Sequence, residues 1–406
     1  MGKACVHWQA VTQAMPSYSE PVPSLDQLMR SPARAVPVTV LLIALNILLF
    51  LLMARLSLSP WSLTHADPLA WGANFGPATQ DGQWWRLLSA VFVHFSFIHI
   101  AFNMWALWDV GRLLERLLGR WRYALLYLGT GAAGNLLSLA VQGNEKITGG
   151  ASGAIFGLYG ALIVFLWRER RQVDPAEFRW LFTVAVGFSA VMLGLGFFIP
   201  AIDNAAHGGG LLAGALLGSL LARPWKPGSP LAREQAPWAG AVSIIGLLAL
   251  MASISPPLYR YQEELRARAA IQRFDAEEQA RSARWDTLLR ADDRAALSFD
   301  QGTGALEQEI AASYRHSFEE LAAVRPATPV PSKDALLKLE SYAASRSQAA
   351  RTLAEGLRAC ANPASTGPAH ASGRPEECQT TANQTPASRR HSIRTPAAPS
   401  RGDPAP

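Results

Sequence analysis

The sequence predicts an all-α polytopic membrane protein with a helical extramembrane region towards its C-terminal end. Three observations carry this: a succession of long uncharged stretches, arginine clusters in alternate connections, and an abrupt change of composition after Pro257. Half of the 406 residues are hydrophobic and 17% are charged, averages that a soluble protein could also show. Distribution is more decisive. No charged side chain occurs between Arg34 and Arg55, Arg86 and Asp109, Arg122 and Glu145, Lys146 and Arg168, Arg179 and Asp203, Asp203 and Arg223, or Glu234 and Arg260. Each interval leaves roughly 20 residues, which at a helical rise of about 1.5 Å cross a hydrocarbon core about 30 Å thick.

The expected spans are therefore 36–55, 88–109, 122–142, 150–168, 180–200, 204–222 and 238–256. The first begins some 34 residues into the chain and has no clear small-x-small cleavage site, so it reads as a retained helix, not a signal peptide. Residues 1–34 form a short polar lead. The connection between the first two spans is long and carries Pro60, Pro68, Pro77 and the Trp84-Trp85-Arg86 cluster, a composition typical of a membrane interface. The other connections are short, so one bundle is expected.

The net charge of +6 fits membrane topology better than nucleic-acid binding. Arg30 and Arg34 precede the first span, and Arg112, Arg116, Arg120 and Arg122 lie between the second and third. Arg168, Arg170 and Arg171 follow the fourth, and Arg223, Lys226 and Arg233 follow the sixth. Positive charge stays inside, which puts the N-terminus in the cytoplasm and the end of the seventh span outside. Arg260, Arg266 and Arg268 weigh against that last placement; the long apolar run at 238–256 favours it. The expected location is the inner (plasma) membrane of a bacterium.

Residues 258–298 are rich in Ala, Arg, Glu and Leu, and helical stretches near 304–324 and 333–359 follow turn signals at Gly302-Thr303-Gly304 and Pro326 to Pro331. A small helical domain or an extended hairpin over 258–361 accounts for this. The Pro, Ser, Thr and Ala composition of 362–406 predicts a disordered tail, in which Arg401-Gly402-Asp403 reads as a chance triplet. Cys5, Cys360 and Cys378 have no metal-ligand spacing, and no metal or cofactor is expected. An external location would allow Cys360 and Cys378 to pair.

Polar and ionisable side chains inside spans are costly and need a reason. Three groups stand out. Gly149-Gly150-Ala151-Ser152-Gly153 opens the fourth span, with Gly157 and Gly160 following; small residues leave a hydroxyl uncrowded and let helices approach closely. Taken alone this is also ordinary packing vocabulary. His207 lies in Asn204-Ala205-Ala206-His207-Gly208-Gly209-Gly210 of the sixth span, and Gly214 and Gly218 fall within about 20° of it on a helical wheel. That stripe suits backbone contact with the fourth span, and both spans run outside to inside, so Ser152 and His207 share a depth. His94-x4-His99-x3-Asn103 occupies the second span; His99 and Asn103 share a helix face and offer hydrogen-bond donors. Asn103 as interhelical glue and the histidines as loop anchors stay open. Asp203 could orient His207, but capping of the sixth helix by Asp203 or Asn204 is the simpler expectation.

From Trp85 to Ala222, about a third of the chain, the sequence resembles the core of the rhomboid intramembrane serine proteases. The motifs are Trp85-Arg86, His94 with His99 and Asn103, Gly150-Ala151-Ser152-Gly153, and Ala206-His207-x2-Gly210-x3-Gly214. The resemblance implies a six-helix membrane core over 35–222, to which 236–257 adds a seventh helix. It implies a serine endopeptidase that cleaves transmembrane segments of membrane proteins within the lipid bilayer. Ser152 and His207 would form the dyad. His99, Asn103 and the Ser152 backbone N–H would line the oxyanion hole. His94 would be structural, and Gly150, Gly153, Gly210 and Gly214 would support close packing. Phe156 stands where the family commonly has Tyr; its ring can still pack under His207, without the hydroxyl. A transporter using the histidines as a proton path should spread ionisable groups over several depths, and an inactive relative should lack Ser or His. A scaffold working through its C-terminal region stays open as an added role.

Overall fold

The computed structural model describes residues 24, 25, 27, 36–55, 67–222, 237–289 and 299–361. The helices are α1 (Pro37–Arg55), α2 (Gly76–Gln80), α3 (Arg86–Ser89, continued by a 3₁₀ turn Ala90–Phe92), α4 (Phe97–Leu118), α5 (Arg120–Gln142), α6 (Ser152–Glu169), α7 (Pro175–Leu195), α8 (Asn204–Leu221), α9 (Pro237–Ser253), α10 (Tyr261–Leu289), α11 (Phe299–Ala305), α12 (Ala312–Ala323) and α13 (Lys333–Ala361). A π turn, Leu306–Ala311, joins α11 to α12. Two strands of two residues each, β1 (Asn74–Phe75) and β2 (Ile147–Thr148), pair antiparallel. The chain divides into two compact units, Met1–Leu48 with Ile100–Gly134 and Ser152–Leu247, and Leu49–His99 with Asn135–Ala151 and Leu248–Pro406.

Among the described residues, α1, α5, α6 and α7 are long and apolar enough to cross a membrane, and α3 with α4 makes a fifth crossing if the bent pair is one span. Asn204, His207, Ser219 and five glycines make α8 less apolar, and α9 is a shorter apolar helix. Large apolar side chains point outward along α1 (Leu41, Leu48, Leu51), α7 (Trp180, Val191) and α9 (Ile244, Ile245, Leu248). Faces of that kind are stable against lipid and would associate in water. The chain is a polytopic integral membrane protein.

In the first unit α6 is the most enclosed helix, buried almost continuously from Gly153 to Leu162. Its neighbour is α8. A Cβ added at Gly214 would lie 2.0 Å from the Gly157 carbonyl oxygen, and one at Gly218 would lie 2.7 Å from Ala161 Cα. The reciprocal site is Gly160, where a Cβ would come within 2.2 Å of the Leu211 carbonyl oxygen. The glycine stripe thus meets the fourth span, as its angular spacing predicts. Between α1 and α4, Glu115 is buried and accepts the Val38 and Thr39 backbone N–H groups at 3.0 and 2.7 Å, which caps α1. Asp174 caps α7, accepting the Ala176 N–H at 2.8 Å, so that helix starts before the expected residue 180.

The second span is not one straight helix. α3 and α4 meet at 95° across the break at 93–96. Ser96 Oγ accepts the His99 N–H at 3.2 Å, an N-cap that fixes the start of α4.

In the second unit α10 to α13 enclose one core, with Trp285, Ile310, Tyr314, Leu336 and Leu339 at its centre. These helices pack around a shared core, which an extended hairpin would lack. Glu278 Oε1 accepts both the Tyr314 and Tyr342 hydroxyls, at 2.9 and 2.7 Å. The Gly302-Thr303-Gly304 turn expected from sequence is instead helical. Each glycine costs a helix about 1 kcal/mol, and burial of Leu306, Ile310 and Tyr314 on one face just beyond it opposes that cost. The segment from Pro326 to Pro331 does connect two helices. Cys5, Cys378 and the Arg401-Gly402-Asp403 triplet lie outside the described residues, as does the side chain of Cys360, so the pairing of Cys360 with Cys378 does too.

Candidate active site

Ser152 is the first residue of α6 and His207 sits in the first turn of α8. Their neighbours interlock. A Cβ at Gly210 would lie 1.9 Å from the Gly153 carbonyl oxygen, and one at Gly153 would lie 3.4 Å from that of Ala206. The residue after Ser152 is therefore held between the residues one before and three after His207. Only glycine at 210 allows this approach, since any side chain would displace one backbone from the other.

His207 is buried and lies flat on Phe156, with ring centroids 4.2 Å apart and planes 11° apart. Phe156 in turn meets Phe188 of α7 at 6.1 Å. The hydroxyl that Phe lacks is not needed for the stack. Asp203 Oδ1 accepts the Ala206 N–H at 3.0 Å and is the N-cap of α8. Asn204 is not the cap; its Nδ2 donates to the Leu193 carbonyl at 3.1 Å, tying α8 to the end of α7. Asn103, also in this unit, is buried on α4. Sequence reasoning missed Phe188, whose position about two turns before the end of an apolar helix carries no distinguishing signal.

The second unit holds His94, His99 and Gly150. His94 is fully buried. Its Nε2 accepts the Ala151 N–H at 3.4 Å while Nδ1 lies 3.3 Å from the Phe92 carbonyl. Those two partners select one tautomer, with the proton on Nδ1 donated to Phe92. His94 thereby holds the backbone one residue before Ser152, alongside the Gly150 N–H, which donates to the Ala90 carbonyl at 2.8 Å. Gly150 has φ +129°, a conformation that other residues rarely adopt. The His99 ring meets His94 edge-on at 4.9 Å and stacks on Phe95 at 6.1 Å.

Arg86 is not the interfacial charge that its Trp84-Trp85 context suggests. It is buried, with Nη1 donating to the Leu69 and Ala73 carbonyls at 2.7 and 2.9 Å and Nε to Gln83 at 2.7 Å. It pins the loop before β1. Also unforeseen were Asn74, Asn135 and Thr148. Asn74 Nδ2 donates to the Asn135 carbonyl at 3.1 Å, and Asn135 Nδ2 to the Leu87 carbonyl at 2.8 Å. Among the described residues no group of three His, Cys, Asp or Glu side chains is placed to hold a metal.

The Rhomboid domain family matches residues 81–224. Rhomboid protease GluP of Bacillus subtilis (strain 168) is 37% identical over 186 residues, covering 46% of this chain and 35% of that protein. Rhomboid-like protease 1 of Toxoplasma gondii is 36% identical over 195 residues, covering 46% of this chain and 63% of the relative. The chain thus spans less than two thirds of the length of either. It spans 89% of a third relative, the Bacillus subtilis rhomboid YdcA, at 33% identity over 187 residues and 46% of this chain. With 89% of that relative covered at 33% identity and residues 81–224 matching the family's domain, this chain belongs to the rhomboid family.

Proposed function

We propose that the protein is an intramembrane serine endopeptidase that cleaves transmembrane segments of membrane proteins, with Ser152 as nucleophile and His207 as general base. The observation that carries this reading is the interlock of Gly153 with Ala206 and Gly210, which presents a hydroxyl and an imidazole from touching backbones. The stack of His207 on Phe156 supports it further, because it fixes the plane of the imidazole.

His207 takes the Ser152 proton as Oγ attacks the scissile carbonyl carbon. The oxyanion that forms is held by the Ser152 backbone N–H and by the side chains of His99 and Asn103, which lie four residues apart on α4. Collapse breaks the C–N bond, and His207 returns the proton to the departing amine. Water, deprotonated by the same imidazole, then releases the acyl group and restores Ser152. Asp203 is assigned to capping α8 and not to proton transfer, in keeping with the bond its Oδ1 accepts from the Ala206 N–H. His94 acts through structure, holding Ala151. No cofactor enters this chemistry.

The proposed organisation is a six-helix core over 35–222, a seventh helix within 236–257 and an extramembrane helical domain within 258–361. The seven uncharged intervals support the count. Arg112, Arg116, Arg120 and Arg122 support a cytoplasmic side for the connection between α4 and α5, hence a cytoplasmic N-terminus in an inner (plasma) membrane. An external C-terminal domain is supported by its contact with the loop that follows the first span: the Gln262 N–H donates to Asp81 Oδ2 at 2.9 Å.

The test is cleavage of a model transmembrane substrate in liposomes by the wild type and by Ser152→Ala. Cleavage by the first and none by the second is expected. Equal cleavage by both would reject the assignment.

A further inference from the structure

The extramembrane domain does more than follow the membrane core in sequence. Its first helical residue, Tyr261, is buried and its ring meets the Phe75 ring edge-on, with centroids 6.3 Å apart and planes at 72°. Phe75 belongs to β1, and β1 pairs with β2 in the register Asn74 to Thr148 and Phe75 to Ile147. Asn74 Nδ2 adds a side-chain bond to Thr148 Oγ1 at 3.4 Å, and Thr79 Oγ1 donates to Asn74 Oδ1 at 2.8 Å. From Thr148 the chain runs through Gly149, Gly150 and Ala151 directly into Ser152.

Two further contacts flank the ring pair. The Gln262 N–H donates to Asp81 Oδ2, and Asn144 Nδ2 donates to the Pro256 carbonyl at 3.2 Å. The segment is equally well tied on its other side. Buried Glu264 accepts the Ser332 N–H and hydroxyl at 3.0 and 2.7 Å, and Glu263 accepts those of Thr328 at 3.0 and 2.8 Å. The first turn of α10 is thus a rigid part of the domain, and one face of it grips β1.

Two strands of two residues are far too few to hold a register alone. The short loop after β2 is held at its far end by Ala90 and His94, which accept the Gly150 and Ala151 N–H groups, and at its near end by the ladder, so steadying the ladder completes the hold on the approach to Ser152. We infer that Tyr261 is a positioning residue for peptide-bond cleavage, bracing β1 and β2 and through them the loop that carries the nucleophile. The inference rests on the assignment of Ser152 made above. It gives the extramembrane domain a role in turnover that does not require it to touch the substrate.

The experiment uses the full-length protein in liposomes and reads three quantities: kcat, KM for a model transmembrane substrate, and the rate of phosphonylation by a fluorophosphonate. Misplacement of reacting groups by about 1 Å costs up to about 100-fold in rate, so Tyr261→Ala is expected to lower kcat and the phosphonylation rate together by about 10-fold. KM should stay at the wild-type value. Tyr261→Phe keeps the ring contact and should restore both rates. Asp81→Ala removes the flanking acceptor without emptying a buried site, and should lower the same two rates should Tyr261→Ala fail to fold. Wild-type rates in a folded Tyr261→Ala would overturn the inference, as would wild-type rates in Asp81→Ala if Tyr261→Ala does not fold. So would a raised KM at unchanged kcat, the signature of a domain that recruits substrate. A wild-type protein inert to the probe would overturn the assignment of Ser152, and this inference with it.

Discussion

Two residues, Ser152 and His207, carry the proposed chemistry, and the side chains around them differ sharply in what their loss should do. Ser152→Ala and His207→Ala should each lower turnover by about 10⁴-fold or more with membrane insertion unchanged, read by substrate cleavage beside expression in the membrane fraction. Near-normal turnover in either variant would remove that residue from the dyad. Asn103→Ala should cost less, about 10²–10³-fold in kcat, because the proposed oxyanion hole would keep the backbone N–H and His99; an unchanged kcat would exclude Asn103 from the site. Asp203→Asn should retain substantial activity, since Asn caps a helix as well as Asp and the observed role of Asp203 is to accept the Ala206 N–H. Complete inactivation would instead show that the carboxylate serves His207. Much of this was legible in the sequence, because Ser, His and Asn are conspicuous inside uncharged spans. The role of Arg86 was not. A lone arginine beside two tryptophans looks the same whether it faces headgroups or, as here, backbone carbonyls of its own loop.

At the scale of elements, the pairing of α6 with α8 decides where the site is. Gly210 and Gly208 lie two residues apart on the same helix and make opposite predictions. A Cβ at Gly210 would overlap the Gly153 carbonyl, whereas one at Gly208 meets nothing within 4 Å. Gly210→Ala should therefore destabilise the protein by about 1–3 kcal/mol and abolish cleavage. Gly208→Ala should be neutral or stabilising, by up to about 1 kcal/mol from the gain in helix propensity. Thermal unfolding of both variants in detergent checks this, and equal stability would mean that the two helices do not touch as described. The stripe was readable because helical periodicity puts Gly210, Gly214 and Gly218 on nearly one face with His207. The β1–β2 ladder was not, since two residues are too short for any alternation to show. The bend in the second span was also hidden, because its cause is a pair of local bonds, Ser96 to the His99 N–H and His94 to Phe92, inside a stretch that is uniformly uncharged.

On the scale of the whole molecule, uncharged intervals and basic connections predict the course of the chain through the membrane, while the C-terminal domain sets a puzzle. Arg260, Arg266 and Arg268 follow α9 closely, where an external segment should carry few positive charges. The fold answers part of it: Arg268 Nε is paired with the buried carboxylate of Glu264. Alkaline phosphatase fused to the C-terminus should be active, as expected of an external domain, and an inactive fusion at normal expression would reject that placement. The predictions about turnover depend on one claim, that a hydroxyl at the start of α6 is a nucleophile turned on peptide bonds within the membrane. The most direct measurement is made in liposomes containing a model transmembrane substrate, with cleavage and fluorophosphonate labelling followed in parallel for wild type and Ser152→Ala. The prediction is that the wild type both cleaves and labels, the probe mapping to Ser152, and that the variant does neither. Cleavage that persists in Ser152→Ala, or a label on any other residue, would contradict it.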